Sequence, residues 1–198
     1  MKTALKVALI VFLNFPLAFL GSAYADQGEK SQKSLQGIEY FTGFAQGKLR
    51  EQGNYSSIPL MVDFDFDLKP LTKKIGFNPW GLLQFQLEPF IAPVYRPDSN
   101  VELGNSFLLK IGFLPEGFKF QPYFKGGLGM VYITQHTREQ STQFNFVEYV
   151  GGGIHYLFNK TTALTLEGRY RHLSNAAIKH PNKGITSYFV LIGLSYLF

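Results

Sequence analysis

Along most of the chain, apolar and polar residues alternate one for one. Val62, Phe64, Phe66 and Leu68 interleave with Asp63, Asp65 and Asp67, and Leu83, Phe85 and Leu87 with Gln84, Gln86 and Glu88. Successive side chains of an extended strand point to opposite faces, so the pattern gives each strand one apolar and one polar face. Near the end, Tyr188, Val190, Ile192, Leu194, Tyr196 and Phe198 share one face, with Ser187, Gly193 and Ser195 on the other. The pattern predicts eight strands, at 36–48, 55–68, 81–94, 103–114, 119–134, 143–158, 162–174 and 185–198. Breaks such as Pro115-Glu116-Gly117 and Phe158-Asn159-Lys160 separate them. The fold class expected is all-β.

Alternation suits two architectures. A soluble exported β-sandwich hides its apolar faces inside, whereas a transmembrane barrel turns them outward to lipid and keeps polar residues within. The barrel is favoured. A final strand of about 11 residues is long enough to cross the hydrocarbon at a tilt, and it ends on an aromatic, Phe198. Aromatics make up 16% of the chain, which suits girdles at two membrane interfaces. An even number of antiparallel strands closes without an unpaired edge, as lipid requires. The expectation is therefore an eight-stranded antiparallel transmembrane β-barrel. Its narrow interior would be filled by side chains, which argues against an open porin.

The N-terminus sets the compartment. Lys2 and Lys6 precede an apolar run from Val7 to Leu20, and Ala23-Tyr24-Ala25 offers small residues for cleavage before Asp26. This reads as a signal peptide over 1–25, followed by a short polar periplasmic leader at 26–35 and the barrel at 36–198. Losing Lys2 and Lys6 would take Lys+Arg from 19 to 17 against 14 acids, a mild +3. In an exported protein that balance does not argue for nucleic acid as a partner. The chain has no cysteine, which excludes thiolate metal sites, a cysteine nucleophile and disulfides.

One segment departs from plain barrel chemistry. With both termini periplasmic, the seventh strand ends at the cell surface, in the leaflet that holds lipopolysaccharide. Leu164, Leu166, Tyr170, His172 and Ser174 share one parity, and Thr165, Glu167, Arg169 and Arg171 the other. Charges belong in the lumen, so His172 and Ser174 should face outward near the outer interface. Their i, i+2 spacing puts imidazole and hydroxyl on one face, where a histidine can take the proton of a serine nucleophile. Asn175, Asn182 or a loop N–H would serve the oxyanion. From spacing alone, an interfacial His and Ser that merely bind headgroups fits as well.

His172-Leu173-Ser174-Asn175-Ala176, followed by Pro181-Asn182-x-Gly184-Ile185 and a short last strand, resembles the PagL-type lipid A 3-O-deacylases. The resemblance implies a metal-free, cofactor-free serine esterase of the outer membrane that acts on lipid A of lipopolysaccharide. It assigns Ser174 as nucleophile, His172 as general base, and Asn175 and Asn182 to oxyanion or loop support. The family pattern places a glutamate after Gly-Ile to orient the histidine. Here that position is Thr186, whose hydroxyl can accept a hydrogen bond but carries no charge.

A substitute acid follows from register. A three-residue turn at Asn159-Lys160-Thr161 pairs Phe158 with Thr162, so paired numbers sum to 320 and Glu148 falls opposite His172. Directly opposed side chains lie about 5 Å apart at Cβ. Glu148 is thus the candidate orienting carboxylate, and a one-residue slip would remove it. Lys179, His180 and Lys183, in the loop after Ser174, are either solvated or available to phosphates. Glu167, Arg169 and Arg171 are expected in luminal ion pairs. His136 and His155 lack metal-ligand spacing, and Gly126-Gly127 and Gly151-Gly152-Gly153 read as packing or bending points. The rival function is a non-enzymatic small barrel with a surface-interaction or structural role.

Overall fold

The computed structural model describes residues 34–135 and 137–198. The signal peptide expected at 1–25, leader residues 26–33 and His136 lie outside the described residues. The compact unit Leu35–Phe198 is a single antiparallel sheet wound into a barrel. Its strands are β1 (Leu35–Leu49), β2 (Gly53–Ser57), β3 (Leu60–Asp67), β4 (Leu83–Arg96), β5 (Asn100–Gly112), β6 (Phe120–Ile133), β7 (Phe144–Leu157), β8 (Thr162–Ser174) and β9 (Ile185–Leu197). From β4 to β9 each pairs with its neighbours in sequence, while β2 and β3 both lie between β1 and β4. β1 pairs with β9 from Gly37↔Leu197 to Lys48↔Thr186, and that ladder closes the barrel. Among the described residues no helix is long and apolar enough to cross a membrane.

The second strand corrects the sequence expectation. Instead of one run at 55–68, it is β2 and β3, parted at Ile58-Pro59. Pro59 has no N–H to donate to a ladder. Both halves pair with β1 and β4, and Ile58 N–H bonds Pro93 O at 3.0 Å across the gap, so the barrel has eight strand positions. The other boundaries fall within three residues of those expected.

Facing follows the parity of the sequence. Phe44, Leu128, Val190 and Ile192 are exposed on the outer wall, while Asp63, Asp65, Gln86 and Glu88 are buried within. This is the inverse of a soluble sandwich, and lipid is the solvent that makes it favourable. Charge in the lumen is held by pairing. Lys125 lies 2.9 Å from both Asp63 and Glu167, and Lys110 bonds Glu39 with Asp65 at 3.5 Å. Arg169 bonds Glu167 and reaches Glu88 at 2.6 Å, and Arg171 grips Glu102 at 2.6 and 3.0 Å. His155 stacks on Tyr123 and bonds Thr165. A buried charge is tolerable only with such partners. The interior is therefore packed with ion pairs and ring contacts.

Candidate active site

The β7–β8 register is the one expected from its turn. Pairs run from Phe146↔Ser174 through Glu148↔His172 to Leu157↔Ala163, every pair summing to 320. On the other side of β8, His172 pairs with Thr186 and Leu173 with Ile185. Thr186 in turn pairs with Lys48. Glu148, His172, Thr186 and Lys48 therefore form one row across four strands on the outer wall. The burial alternation of β8 confirms their facing: Arg169, Arg171 and Leu173 are buried, whereas His172 and Ser174 are half-exposed between them.

His172 selects one of its two cross-strand neighbours. Its Nδ1 lies 3.3 Å from Thr186 Oγ1. Among the described residues no hydrogen bond or ion pair joins His172 to Glu148, although register sets them side by side. The rest of the ring leans on Gly184. A Cβ built there would meet His172 Cε1 at 2.5 Å and Nε2 at 3.0 Å. Gly184 continues the β8–β9 register opposite Ser174, so the Nε2 end of the imidazole is turned to the row of the serine. Ser174 itself makes no side-chain hydrogen bond among the described residues, and its hydroxyl is unengaged.

Gly184 is demanded twice, by the space the imidazole fills and by a φ of +70°. Gly184→Ala must push the ring aside. We expect Gly184→Ala to shift the His172 ring resonances of the folded barrel while leaving its gel mobility unchanged; unshifted resonances would contradict this packing.

The loop from Asn175 to Gly184 is laced down on the loop between β6 and β7. Asn175 is fully buried. Its N–H bonds Asn182 Oδ1 at 3.0 Å, and its amide nitrogen donates to Lys179 O at 2.7 Å and Ser141 Oγ at 3.2 Å. Its amide hydrogens are consumed by Lys179 of the same loop and Ser141 of the β6–β7 loop, so Asn175 ties the two together. Asn182 keeps its Nδ2 free of hydrogen bonds among the described residues. Ser141 N–H bonds Pro181 O at 3.1 Å, and Lys183 N–H bonds Glu139 O at 3.0 Å. Buried Glu139 accepts from Glu51 N–H at 2.8 Å, and Gln140 donates to Leu173 O at 3.3 Å. Glu139, Gln140 and Ser141 hold this loop in place, and the sequence does not single them out: contacts between two irregular loops leave no periodic trace.

Lys183 is neither free nor merely solvated. It pairs with Glu51 and holds that carboxyl below the usual carboxylate range through a hydrogen bond and its charge. Lys179 and His180 remain exposed. Immediately after Ser174 and Asn175 come Ala176 and Ala177 with φ of +52° and +60°. Left-handed alanines cost of order 1–3 kcal/mol each, and such strain gathers at functional sites. Their two N–H groups have no acceptor among the described residues.

Below the histidine on the outer wall stands Tyr170, edge-on against Tyr188, and below that the side chains thin out. Gly152 pairs with Gly168, four residues down β8 from His172, with Phe124 and Val190 as the next cross-strand neighbours. A Cβ on Gly168 would meet only Phe189 O, at 4.0 Å. Neither backbone conformation nor protein packing calls for glycine there; the space it leaves opens on the lipid.

Three solved structures are similar in fold. The outer membrane enzyme PagL superposes with a TM-score of 0.59 at 18% identity, over 78% of this chain and 97% of that one. Neisserial surface protein A gives 0.58 at 13% identity, over 82% and 96%. The N-terminal β-barrel domain of Pseudomonas aeruginosa OprF gives 0.51 at 12% identity, over 83% and 98%. None of the curated proteins compared matches the chain. The model of the family described as lipid A 3-O-deacylase (PagL) matches residues 19–195. With this span matched and the fold that of an outer-membrane barrel, the chain belongs to the lipid A 3-O-deacylase (PagL) family.

Proposed function

We propose that this protein is a serine esterase of the outer membrane that removes the 3-O-linked acyl chain of lipid A, with Ser174 as nucleophile and His172 as general base. The observation that carries the reading is the row on the outer wall: an imidazole tied at Nδ1 to Thr186, its Nε2 end turned to the level of an unengaged serine. A membrane-embedded ester can reach such a pair by lateral diffusion, without leaving the bilayer.

The steps follow from these groups. With Nδ1–H donating to Thr186 Oγ1, Nε2 carries the lone pair that takes the Ser174 proton. Ser174 Oγ attacks the ester carbonyl. The oxyanion that forms accepts from the Ala176 and Ala177 N–H groups and the Asn182 amide, donors held in place before the charge develops. Collapse expels the sugar 3-oxygen, which the imidazolium protonates. Water, deprotonated by the same Nε2, then attacks the acyl-serine and releases the fatty acid. The acyl chain runs down the outer wall past Tyr170 to Gly168, which puts no side chain of its own in the way.

Thr186 fixes the tautomer but supplies no charge. Glu148, opposite His172 on the other flank, is the carboxylate that stabilises the imidazolium across the strand pair. Glu148→Gln is expected to lower kcat for ester hydrolysis by ten-fold or more with KM little changed, since the charge acts only once the imidazolium forms. Near-normal turnover removes Glu148 from the mechanism. The function itself is tested by mass spectrometry of lipid A after incubation with the refolded protein: the expected product lacks one 3-O-acyl chain. Unaltered lipid A returns the reading to a barrel without enzymatic role.

A further inference from the structure

The other end of the barrel carries a feature the esterase reading does not use. The turn between β3 and β4 spans 68–82, fifteen residues, where its neighbours at the same end span only 113–119 and 158–161. It contains a single helical turn, α1 (Lys69–Thr72), and a 3₁₀ turn (Lys73–Ile75), and neither buries a residue. The segment is nevertheless fixed at both ends. Leu68 N–H bonds Leu83 O at 3.0 Å and Gly112 N–H bonds Leu82 O at 2.8 Å. Gly81 approaches β5 so closely that a Cβ would lie 2.3 Å from Gly112 O, which seats Trp80 at the barrel rim.

What this segment presents is apolar and cationic. Leu71 is 60% exposed, Ile75 81%, Phe77 54% and Trp80 72%. An apolar surface of this kind on a short segment marks an interaction site. It continues the outer wall, where Phe113, Phe118, Phe120 and Phe158 stand exposed at the same end, at the level where barrel aromatics meet the membrane interface. The stretch 68–82 contains Lys69, Lys73 and Lys74 and no acid. Lys69 is paired with Glu116 of the next turn. Lys73 and Lys74 have no acidic partner among the described residues.

We propose that residues 69–80 form a binding surface for anionic phospholipid on the leaflet opposite the esterase site. Leu71, Ile75, Phe77 and Trp80 enter the headgroup–acyl boundary, and Lys73 and Lys74 engage phosphodiester oxygens. Apolar side chains flanked by lysines lie in the interface plane and gain from negative lipid charge. The occupant is a phospholipid bilayer surface, because the wall at this same end also exposes Phe113, Phe118, Phe120 and Phe158, and the segment adds lysines without acids. The segment acts as a second contact that fixes the height and tilt of the barrel, independently of any reaction at Ser174.

Trp80 is the chain's one tryptophan, so its emission reports on this segment alone. The full-length protein, folded into phosphatidylcholine vesicles with or without phosphatidylglycerol, is probed with bromine-labelled chains on one lipid at a time. We expect Trp80 to resist aqueous acrylamide and to be quenched by brominated phosphatidylglycerol with about a tenfold preference over brominated phosphatidylcholine at equal mole fraction. In Lys73→Gln/Lys74→Gln the preference should vanish while lipid quenching persists. Free acrylamide access would place the segment in water, available to a protein partner, and overturn the proposal. A preference that survives in the double variant would overturn the role of the lysines.

Discussion

Ser174→Ala is expected to abolish lipid A deacylation, with kcat falling by roughly 10⁶-fold, the order seen when a serine nucleophile is removed from a hydrolase. The residual rate would come from the oxyanion donors and binding alone. The substitution should leave the barrel untouched. Ser174 is half-exposed and makes no side-chain hydrogen bond among the described residues, so removing its hydroxyl strands no buried partner. His172→Gln is expected to cost about as much, and the double variant no more than either, because base and nucleophile act as one unit. Release of 3-O-acyl chains from purified lipid A, followed by mass spectrometry over single turnovers, measures the effect, with heat-modifiable gel mobility reporting the fold. Continued release of the same fatty acid by Ser174→Ala would end the case for this nucleophile.

Much of the frame behind that expectation is legible in the sequence. The interleaving of Val62, Phe64 and Phe66 with Asp63 and Asp65 separates the two faces, and the long aromatic-ended last strand turns the apolar one to lipid. The tight turn at Asn159-Lys160-Thr161 fixes the β7–β8 register, since a short connection leaves no freedom to slip, and it carried Glu148 to its place beside His172. Other matters are set by three-dimensional choices that no pattern encodes. Which neighbour the imidazole bonds is a side-chain rotation, and the ring takes Thr186 and Gly184 over Glu148. The left-handed alanines are silent in sequence, because alanine carries no signature for positive φ. Parity places Arg171 in the lumen but cannot name Glu102, 69 residues away, as its partner. The interruption at Pro59 was written in the chain, though the surrounding alternation hid it.

Arg171 carries the second large effect. It sits beside His172 on β8 but points inward, fully buried. Its guanidinium grips both oxygens of Glu102 at 2.6 and 3.0 Å and stacks 5.0 Å from the Phe189 ring centre, while Tyr55 donates to Glu102 Oε1 at 2.6 Å. Removing the arginine leaves a buried carboxylate with Tyr55 as its one remaining hydrogen-bond donor among the described residues. Breaking a buried pair on one side costs about 3–5 kcal/mol, because the surviving charge loses its partner but not its desolvation penalty. Arg171→Ala is therefore expected to lower barrel stability by that amount, read as a shift in urea unfolding of the protein in liposomes. Replacing both members, Arg171→Met with Glu102→Leu, in a Tyr55→Phe background should recover most of the loss, since an apolar pair of similar volume asks for no compensation and no buried hydroxyl is left without its acceptor. The comparison separates charge from shape. A double variant as unstable as Arg171→Ala would mean that the arginine stabilises by filling space against Phe189, and a single-variant shift below about 1 kcal/mol would mean that the lumen rehydrates around Glu102.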